Sequence, residues 1–313
     1  MNTFDLYDKI IEFNEAFVNQ QMISEIAHYT SIEALRSIAR SVVSCKGESF
    51  LFLRATNALY SNDREELQVG YEFMMDIFRK LEKGRPEKCQ ITNYMKEISK
   101  SVKYSQYSRN YYLNWFYSES RAPYIISFSR LIDKLLMWKQ VYGRGGKGVC
   151  LVFDLSTLIS NSDSIIVNSP QPIIYGERFG YVEFKNMFIR LIANEYQSFL
   201  IQVRNVEILD DIIDLKLQTI DTLCSFVSSY FKSEKWHDEQ EVRVMCMVKD
   251  EKKYIKLDEK NRPYLSVMVP LRCLKKLIIG PTVSNTSIVE IQSYAQNLNL
   301  SPENIIVSKE PLK

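Results

Sequence analysis

Histidine is scarce in this sequence, and no two cysteines have the spacing of a zinc site. The 313 residues include two histidines, and the six cysteines, none in a CxxC arrangement, are Cys45, Cys89, Cys150, Cys224, Cys246 and Cys273. Structural zinc sites need four Cys or His ligands, usually in closely spaced pairs. We therefore expect no metal site and no disulfide framework, and scattered thiols of this kind are typical of a reducing compartment.

Long apolar runs and an excess of one charge are also missing. No stretch of about 18 apolar residues could span a membrane, and no apolar segment follows a basic start as in a signal peptide. The net charge of +2 gives no broad electrostatic surface for nucleic acid or anionic lipid. We therefore expect a cytoplasmic protein that does not contact a membrane.

Glycine is infrequent, and its one dense cluster does not match a phosphate-binding loop. The chain has 10 glycines, and GRGGKG (143–148) lacks the GxxxxGK[ST] spacing. Here a predicted helix precedes the turn and a strand follows it, which reverses the order of such loops. The pattern favours a helix C-terminus and a turn, although Arg144 and Lys147 leave contact with a ligand open.

The patterns that are present predict an α+β fold. With 46% hydrophobic and 25% charged residues, the composition is that of a globular protein. Predicted strands cluster on both sides of long helical stretches. We expect one domain over residues 1–313, with an N-terminal helix at 1–24 and helical insertions at about 63–118 and 184–232.

The stretch KWHDEQEVRV (235–244) raises the most specific question. In a strand, Glu239, Glu241 and Arg243 would share one face and the valines the other. Charged groups are costly to bury unless they are paired. Either they line a wet, ligand-filled cleft or they form a structural network, with NDREE (62–66) and Arg130 as the other members.

Two earlier segments hold further candidates for a site. His28 lies on a predicted strand, where a single histidine is more often structural than functional. Ser127 and Ser129 flank Phe128, so the two hydroxyls would share one face of a strand. They are expected either to cap the following helix or to hold a ligand.

Taken in order, these segments resemble a known family. HYTSIEAL, TNALYSNDREE, ISFS, MWKQVYGRGGKGVCLVFD, WHDEQEVR and LKKLIIGP follow one another along the chain. They resemble the bacterial family called domain of unknown function 2971, over roughly residues 25–282. The motif order of that family is similar to that of ADP-ribosyltransferases, which bind NAD in a cleft between two small sheets.

The resemblance implies an ADP-ribosyltransferase-like split sheet and a role for each matching residue. Glu241 would stabilise positive charge on the ribose, and Glu239 would orient or deprotonate the nucleophile. The residues expected to contact NAD are His28, Tyr29, Thr30, Tyr60, Ser127, Phe128, Ser129 and Arg243. His28, Ser127 and Glu241 are expected to converge on one cleft.

The implied function is that of an NAD-consuming bacterial effector. It would cleave the nicotinamide–ribose bond and transfer ADP-ribose to a protein or nucleic acid, or to water, as a toxin or an anti-phage defence protein. A homo-oligomer or a regulatory partner is compatible with this reading. The alternative is a non-enzymatic nucleotide-binding sensor or scaffold in which glutamates and arginine form a structural network.

Overall fold

The fold is known from a computed structural model, which describes part of the chain. The residues described are 24–60, 67–84, 92, 123–139, 143–154, 165–167, 170–176, 182, 185–186, 189–190, 228–248 and 254–311. Most of the predicted helical insertions at about 63–118 and 184–232 and nearly all of the predicted N-terminal helix lie outside them.

The described residues form strands and helices in the alternation that the sequence predicts. The strands are β1 (Glu25–Thr30), β2 (Val43–Cys45), β3 (Glu48–Asn57), β4 (Tyr124–Ser129), β5 (Val149–Asp154), β6 (Ile165–Val167), β7 (Gln171–Pro172), β8 (Ile174–Tyr175), β9 (Phe231–Lys232), β10 (Glu241–Val248), β11 (Lys256–Leu257), β12 (Pro263–Pro270), β13 (Leu274–Ile279) and β14 (Ile305–Val307). The helices are α1 (Ile32–Arg40), α2 (Gln68–Leu81), α3 (Leu135–Lys139) and α4 (Asn285–Asn297). The fold is mixed α and β, with one large sheet that contains both antiparallel and parallel pairs.

Helix α1 begins at a serine cap. The Ser31 hydroxyl accepts a hydrogen bond from the Ala34 amide at 3.2 Å, which satisfies one free N–H of the first turn. In the sequence, Thr30 and Ser31 are alternative caps for this helix, and Glu33 has the spacing of a capping box with Thr30. The box was wrong: Thr30 is still part of β1, and a hydrogen bond from Ser31 helps to lower the pKa of Glu33.

Strand β4 is the branch point of the large sheet. The order is β11–β12–β3–β4–β1–β5–β13–β14, and β10 also pairs with β4. Because β10 pairs with β4 from Tyr124 to Ser129, it occupies one whole edge. β1 and β3 must therefore share the other edge, and β1 takes the Ser129 end through the pair Ala27↔Ser129. The sheet splits into two arms where β1 and β3 leave β4.

The two faces of the sheet bury different cores. One face packs a large cluster that includes Ile26, Phe128 and Val242. The other face packs a smaller one in which Tyr29 meets Trp138 edge-on, with ring centroids 4.9 Å apart. β1 and β5 contribute alternate residues to the two cores, as their period of two requires.

The GRGGKG segment forms a turn that packs directly on the loop after β13. The turn is a short 3-10 helix, Arg144–Gly146, in which Gly145 has φ 63°. The Gly280 amide donates to the Gly148 carbonyl at 2.9 Å. A Cβ on Gly280 would lie 2.1 Å from the Gly146 carbonyl oxygen, so only glycine allows this approach.

By its contacts the chain divides into two compact units. One unit comprises residues 1–13, 57–123 and 173–236; the other comprises 14–56, 124–172 and 237–313. The second unit holds nearly all of the large sheet, and the first includes the parallel pair β8–β9. The ranges predicted as insertions fall in the first unit, and the single-domain expectation stays a prediction. No helix in the described ranges is long and apolar enough to cross a membrane.

Candidate functional site

Ser127 is exposed in the middle of a strand that is otherwise buried. Its neighbours Ile126 and Phe128 are 2% and 3% exposed, and the other residues of β4 are buried too. An exposed residue at the centre of a sheet requires an opening above it. Ser127 lies two residues before Ser129, the residue of β4 that pairs with β1.

A buried ion pair lies beside Ser127. Arg243 is directly opposite Ser127 in the antiparallel pair of β10 with β4, and Glu241 is opposite Ser129. Arg243 Nε donates to Glu241 Oε1 at 2.8 Å, and Nη2 donates to Oε2 at 3.0 Å. Arg243 is 1% exposed and Glu241 5%. This bidentate geometry holds the carboxylate in one orientation.

Glu239 does not lie on the strand, contrary to expectation. It ends the 3-10 helix Glu234–Glu239, and β10 begins only at Glu241. Between them Gln240 has φ 44°, a left-handed conformation that interrupts the extended backbone. The alternation that was expected to align Glu239 with Glu241 therefore does not reach Glu239, although both residues are buried.

Ser129 fixes the backbone around this turn. Its hydroxyl donates to the Glu239 carbonyl at 2.6 Å and accepts from the Leu131 amide at 3.0 Å. The Arg130 amide donates to the Gln240 carbonyl at 3.1 Å. Ser129 is therefore a turn-forming residue that joins β4 to the start of β10. It does not cap a helix, because α3 begins at Leu135.

His28 and Glu241 were expected to converge on one cleft, but His28 leaves β1 on the face of the sheet opposite Glu241. His28 is paired with Leu151 of the large core, and its ring lies 5.5 Å from that of Phe128. Glu241, by contrast, shares the face of Ser129 and Ala27. Alternation along a strand separates neighbouring side chains to opposite faces, which explains the difference.

His28 nevertheless meets the site through the backbone of Ser127. Its Nδ1 lies 3.0 Å from the Ser127 carbonyl oxygen, at the point where β1 departs from β4. A carbonyl only accepts, so Nδ1 carries the proton and Nε2 of the neutral ring is an acceptor. Burial lowers the pKa of His28, and the bond to Ser127 opposes this. The neutral form is therefore favoured.

The remaining predicted residues have structural surroundings. The Tyr29 hydroxyl donates to the Leu131 carbonyl at 2.8 Å, and burial raises its pKa. Phe128 packs edge-on against the core residue Phe153. Thr30 ends β1, and Tyr60 ends a short 3-10 helix in the other compact unit.

The sequence analysis missed Gln171, which belongs to this cluster. Gln171 in β7 lies directly opposite Arg243, on the side of β10 away from β4. Ser127, Arg243 and Gln171 therefore form a row across three adjacent strands, on one face. Gln171 belongs to a two-residue strand followed by Pro172, so no hydrophobic alternation could reveal it. Among the described residues no group of three His, Cys, Asp or Glu side chains could hold a metal ion.

Comparison with known proteins supports the resemblance to one family. A family model described as Protein of unknown function (DUF2971) matches residues 137–244, a shorter stretch than the ordered motifs cover. The match includes the GRGGKG turn and ends within β10, just after Arg243. No curated protein and no solved structure matches the chain. The family description names no activity, so the transferase reading stays a prediction.

Proposed function

We propose that the opening at Ser127 binds NAD and that the protein cleaves the nicotinamide–ribose bond, with Glu241 as the catalytic carboxylate. The observation that carries the proposal is the exposed Ser127 beside the buried, bidentate Arg243–Glu241 pair. The motif order of the family, similar to that of ADP-ribosyltransferases, supports the choice of NAD. The acceptor is a macromolecule or water.

The chemistry requires a fixed negative charge near the ribose. When the bond breaks, its electron pair leaves with the nicotinamide ring nitrogen, and positive charge develops on the ribose. A preorganised carboxylate stabilises that charge without reorganising during the reaction. The nucleophile then bonds to the anomeric carbon and releases its proton. With water the products are ADP-ribose, nicotinamide and a proton.

Arg243 acts in this proposal as a positioning residue. An arginine side chain stays charged in proteins, so the buried pair requires an ionised Glu241. The two bonds to Arg243 use one lone pair on each carboxylate oxygen, and a carboxylate has about four such sites. In this proposal a ribose hydroxyl donates to the carboxylate that Arg243 orients.

A second candidate function is nucleotide binding without chemistry. Two observations favour it. Arg243 donates to both oxygens of Glu241 and neutralises the charge that catalysis would use. His28 lies on the face of the sheet opposite Glu241. The exposed Ser127 would still contact a nucleotide. The protein would then be a sensor or scaffold.

The test is incubation of the purified protein with NAD, followed by chromatography for nicotinamide and ADP-ribose. A parallel reaction uses NAD labelled in the adenosine half together with a bacterial lysate, and detects label on protein or nucleic acid. Glu241→Gln should lower nicotinamide release by about 10²–10³-fold, since it removes the charge. Glu290→Gln is the matched control, because Glu290 pairs with Arg36 on a different part of the fold.

The two candidate functions give different results. Nicotinamide release that falls in Glu241→Gln and persists in Glu290→Gln supports the enzyme. NAD binding by calorimetry without nicotinamide release, in buffer and in lysate alike, supports the sensor. Neither binding nor release would overturn both.

A further inference from the structure

Strand β14 lies at the end of the strand order of the large sheet. Within the described part of the chain it pairs with β13 alone, in parallel. The Ser308 amide donates to the Ile279 carbonyl at 2.8 Å, so the backbone groups of Ser308 and Ile306 point towards β13. Because the direction of these groups alternates along a strand, those of Ile305 and Val307 point away from β13. The outer side of β14 is therefore open to a further strand.

Three backbone groups face outward at this edge. The Ile305 amide donates to the Pro302 carbonyl within the preceding 3-10 turn. The Ile305 carbonyl and both the amide and the carbonyl of Val307 face away from the sheet. Ile306 and Val307 are 41% and 44% exposed. An edge strand with exposed β-branched side chains is a template for pairing with another chain.

The sequence around β14 is complementary to itself in the antiparallel direction. When two such strands are related by a twofold axis at Ile306, Ile306 faces its own counterpart and Ile305 faces Val307. Just outside the strand, Glu303 on one copy faces Lys309 on the other, and both residues are exposed. Twofold interfaces require this reciprocity, so each of the two unlike contacts occurs twice.

We propose that β14 is a dimerisation edge, which pairs antiparallel with β14 of a second copy of this chain about a twofold axis at Ile306. Two hydrogen bonds join the strands, each from a Val307 amide to an Ile305 carbonyl. Glu303 and Lys309 select the register, because any other register removes the opposition of these two charges. The contact is small, so the dimer is weak. Its formation does not depend on NAD.

The experiment measures self-association of the whole chain by sedimentation velocity, at concentrations from about 1 to 200 µM, which cover weak dimers. Glu303→Lys and Lys309→Glu each place like charges opposite one another at both ends of the contact. Either should raise the dissociation constant of the dimer by about tenfold or more. Glu259→Lys is the control, because it makes the same change of net charge in the exposed turn between β11 and β12. It should leave the dimer unchanged.

A mixture of the two charge variants gives the most specific result. In a heterodimer of Glu303→Lys with Lys309→Glu, opposite charges face each other at both ends. The mixture should therefore associate about as tightly as wild type, although each variant alone associates weakly. The double variant Glu303→Lys/Lys309→Glu should recover in the same way. An interface elsewhere on the chain would not produce this recovery.

A backbone variant tests the strand pairing itself. Val307→Pro removes the amide that donates across the dimer, and the pairing with β13 stays because that amide points outward. It should abolish the dimer with little change in melting temperature; if it does not fold, the charge variants still decide. Wild-type protein that stays monomeric over the whole range would overturn the proposal. So would a dimer that persists in folded Val307→Pro, or charge variants that do not recover on mixing.

Discussion

Arg243 donates two parallel hydrogen bonds, of 2.8 and 3.0 Å, to the carboxylate of Glu241 inside the sheet. The two residues are separated by one valine on β10, whose side chain enters the core of the other face. Both charges are almost completely removed from water. Their desolvation cost is large, and the pair is tolerated because each charge is the partner of the other.

We first predict that the pair is strongly coupled in stability. Glu241→Leu or Arg243→Met alone removes the ion-pair partner of a buried charge and should lower the free energy of unfolding by about 3–5 kcal/mol. The double variant leaves no charge and should lose much less than the sum. Urea unfolding of the four proteins measures the coupling. The exposed Arg36–Glu290 pair provides a control cycle, in which coupling should stay below about 1 kcal/mol. Additive effects at Glu241 and Arg243 would contradict the prediction.

The sequence predicted this pair because it depends on local alternation alone. Glu241 and Arg243 share a face in any strand that contains both. The same rule failed for Glu239, because Gln240 adopts a left-handed conformation that no residue type in QEVR signals. The alternation of side chains between two faces predicts which residues meet only where the backbone is a regular strand.

The position of His28 depended on information that the sequence does not contain. Its strand was predicted correctly, but which face it shares with β10 depends on the pairing of strands more than a hundred residues apart. The motif order suggested that His28, Ser127 and Glu241 converge on one cleft. In the observed register Ser127 is the residue that connects the two strands, because its carbonyl oxygen lies 3.0 Å from His28 Nδ1 and it pairs with Arg243 on β10. Gln171 was missed for a related reason, since a two-residue strand is defined by its neighbour alone.

The hairpin of β2 and β3 was also missed, although its turn has a clear physical cause. Lys46 and Gly47 have φ of 51° and 82°, and Cys45 pairs with Glu48 across them. Two successive positive φ values define the tight hairpin turn that suits twisted strands. The turn usually has Asn or Asp in the first position, and Lys there gave no signal.

Our second prediction concerns the turn at GRGGKG. Gly280→Ala brings a Cβ to 2.1 Å from the Gly146 carbonyl oxygen, so the backbone has to move. We expect a loss of about 3 kcal/mol in the free energy of unfolding, at the upper end for overpacked sites. Gly145→Ala in the same turn is the control. It has φ 63° and no neighbour within 4 Å of a Cβ, so only the backbone strain of about 1–2 kcal/mol applies. Equal effects of the two variants would show that the close approach is absent.

A third prediction is a pH dependence of stability due to His28. Burial lowers its pKa below the ordinary value of 6.5, so the unfolded chain binds a proton more readily than the folded one. The contribution of His28 is therefore complete above about pH 6.5 and is lost as the pH falls through its lower folded-state pKa. The melting temperature should drop between pH 7 and 5, and His28→Gln should reduce that drop. His237→Gln is the control, since His237 is 38% exposed. An unchanged pH profile in His28→Gln would count against a lowered pKa of His28.

The last prediction separates the two glutamates by function. If Glu239 serves the acceptor, Glu239→Gln should reduce the label transferred from NAD to a macromolecule while slow release of nicotinamide persists, because water still attacks. Glu241→Gln should reduce both, because charge on the ribose develops whichever nucleophile attacks.

The Glu239 carbonyl is held by Ser129 at 2.6 Å, and this bond is to the backbone, so the variant keeps it and the turn should survive. Asp238→Asn is the control, with a side chain that is 79% exposed. Measuring nicotinamide, transferred label and melting temperature on all three variants distinguishes the roles. Equal loss of nicotinamide release in Glu239→Gln and Glu241→Gln would instead assign both carboxylates to bond cleavage, and earlier melting without any activity to lose would leave them a structural network.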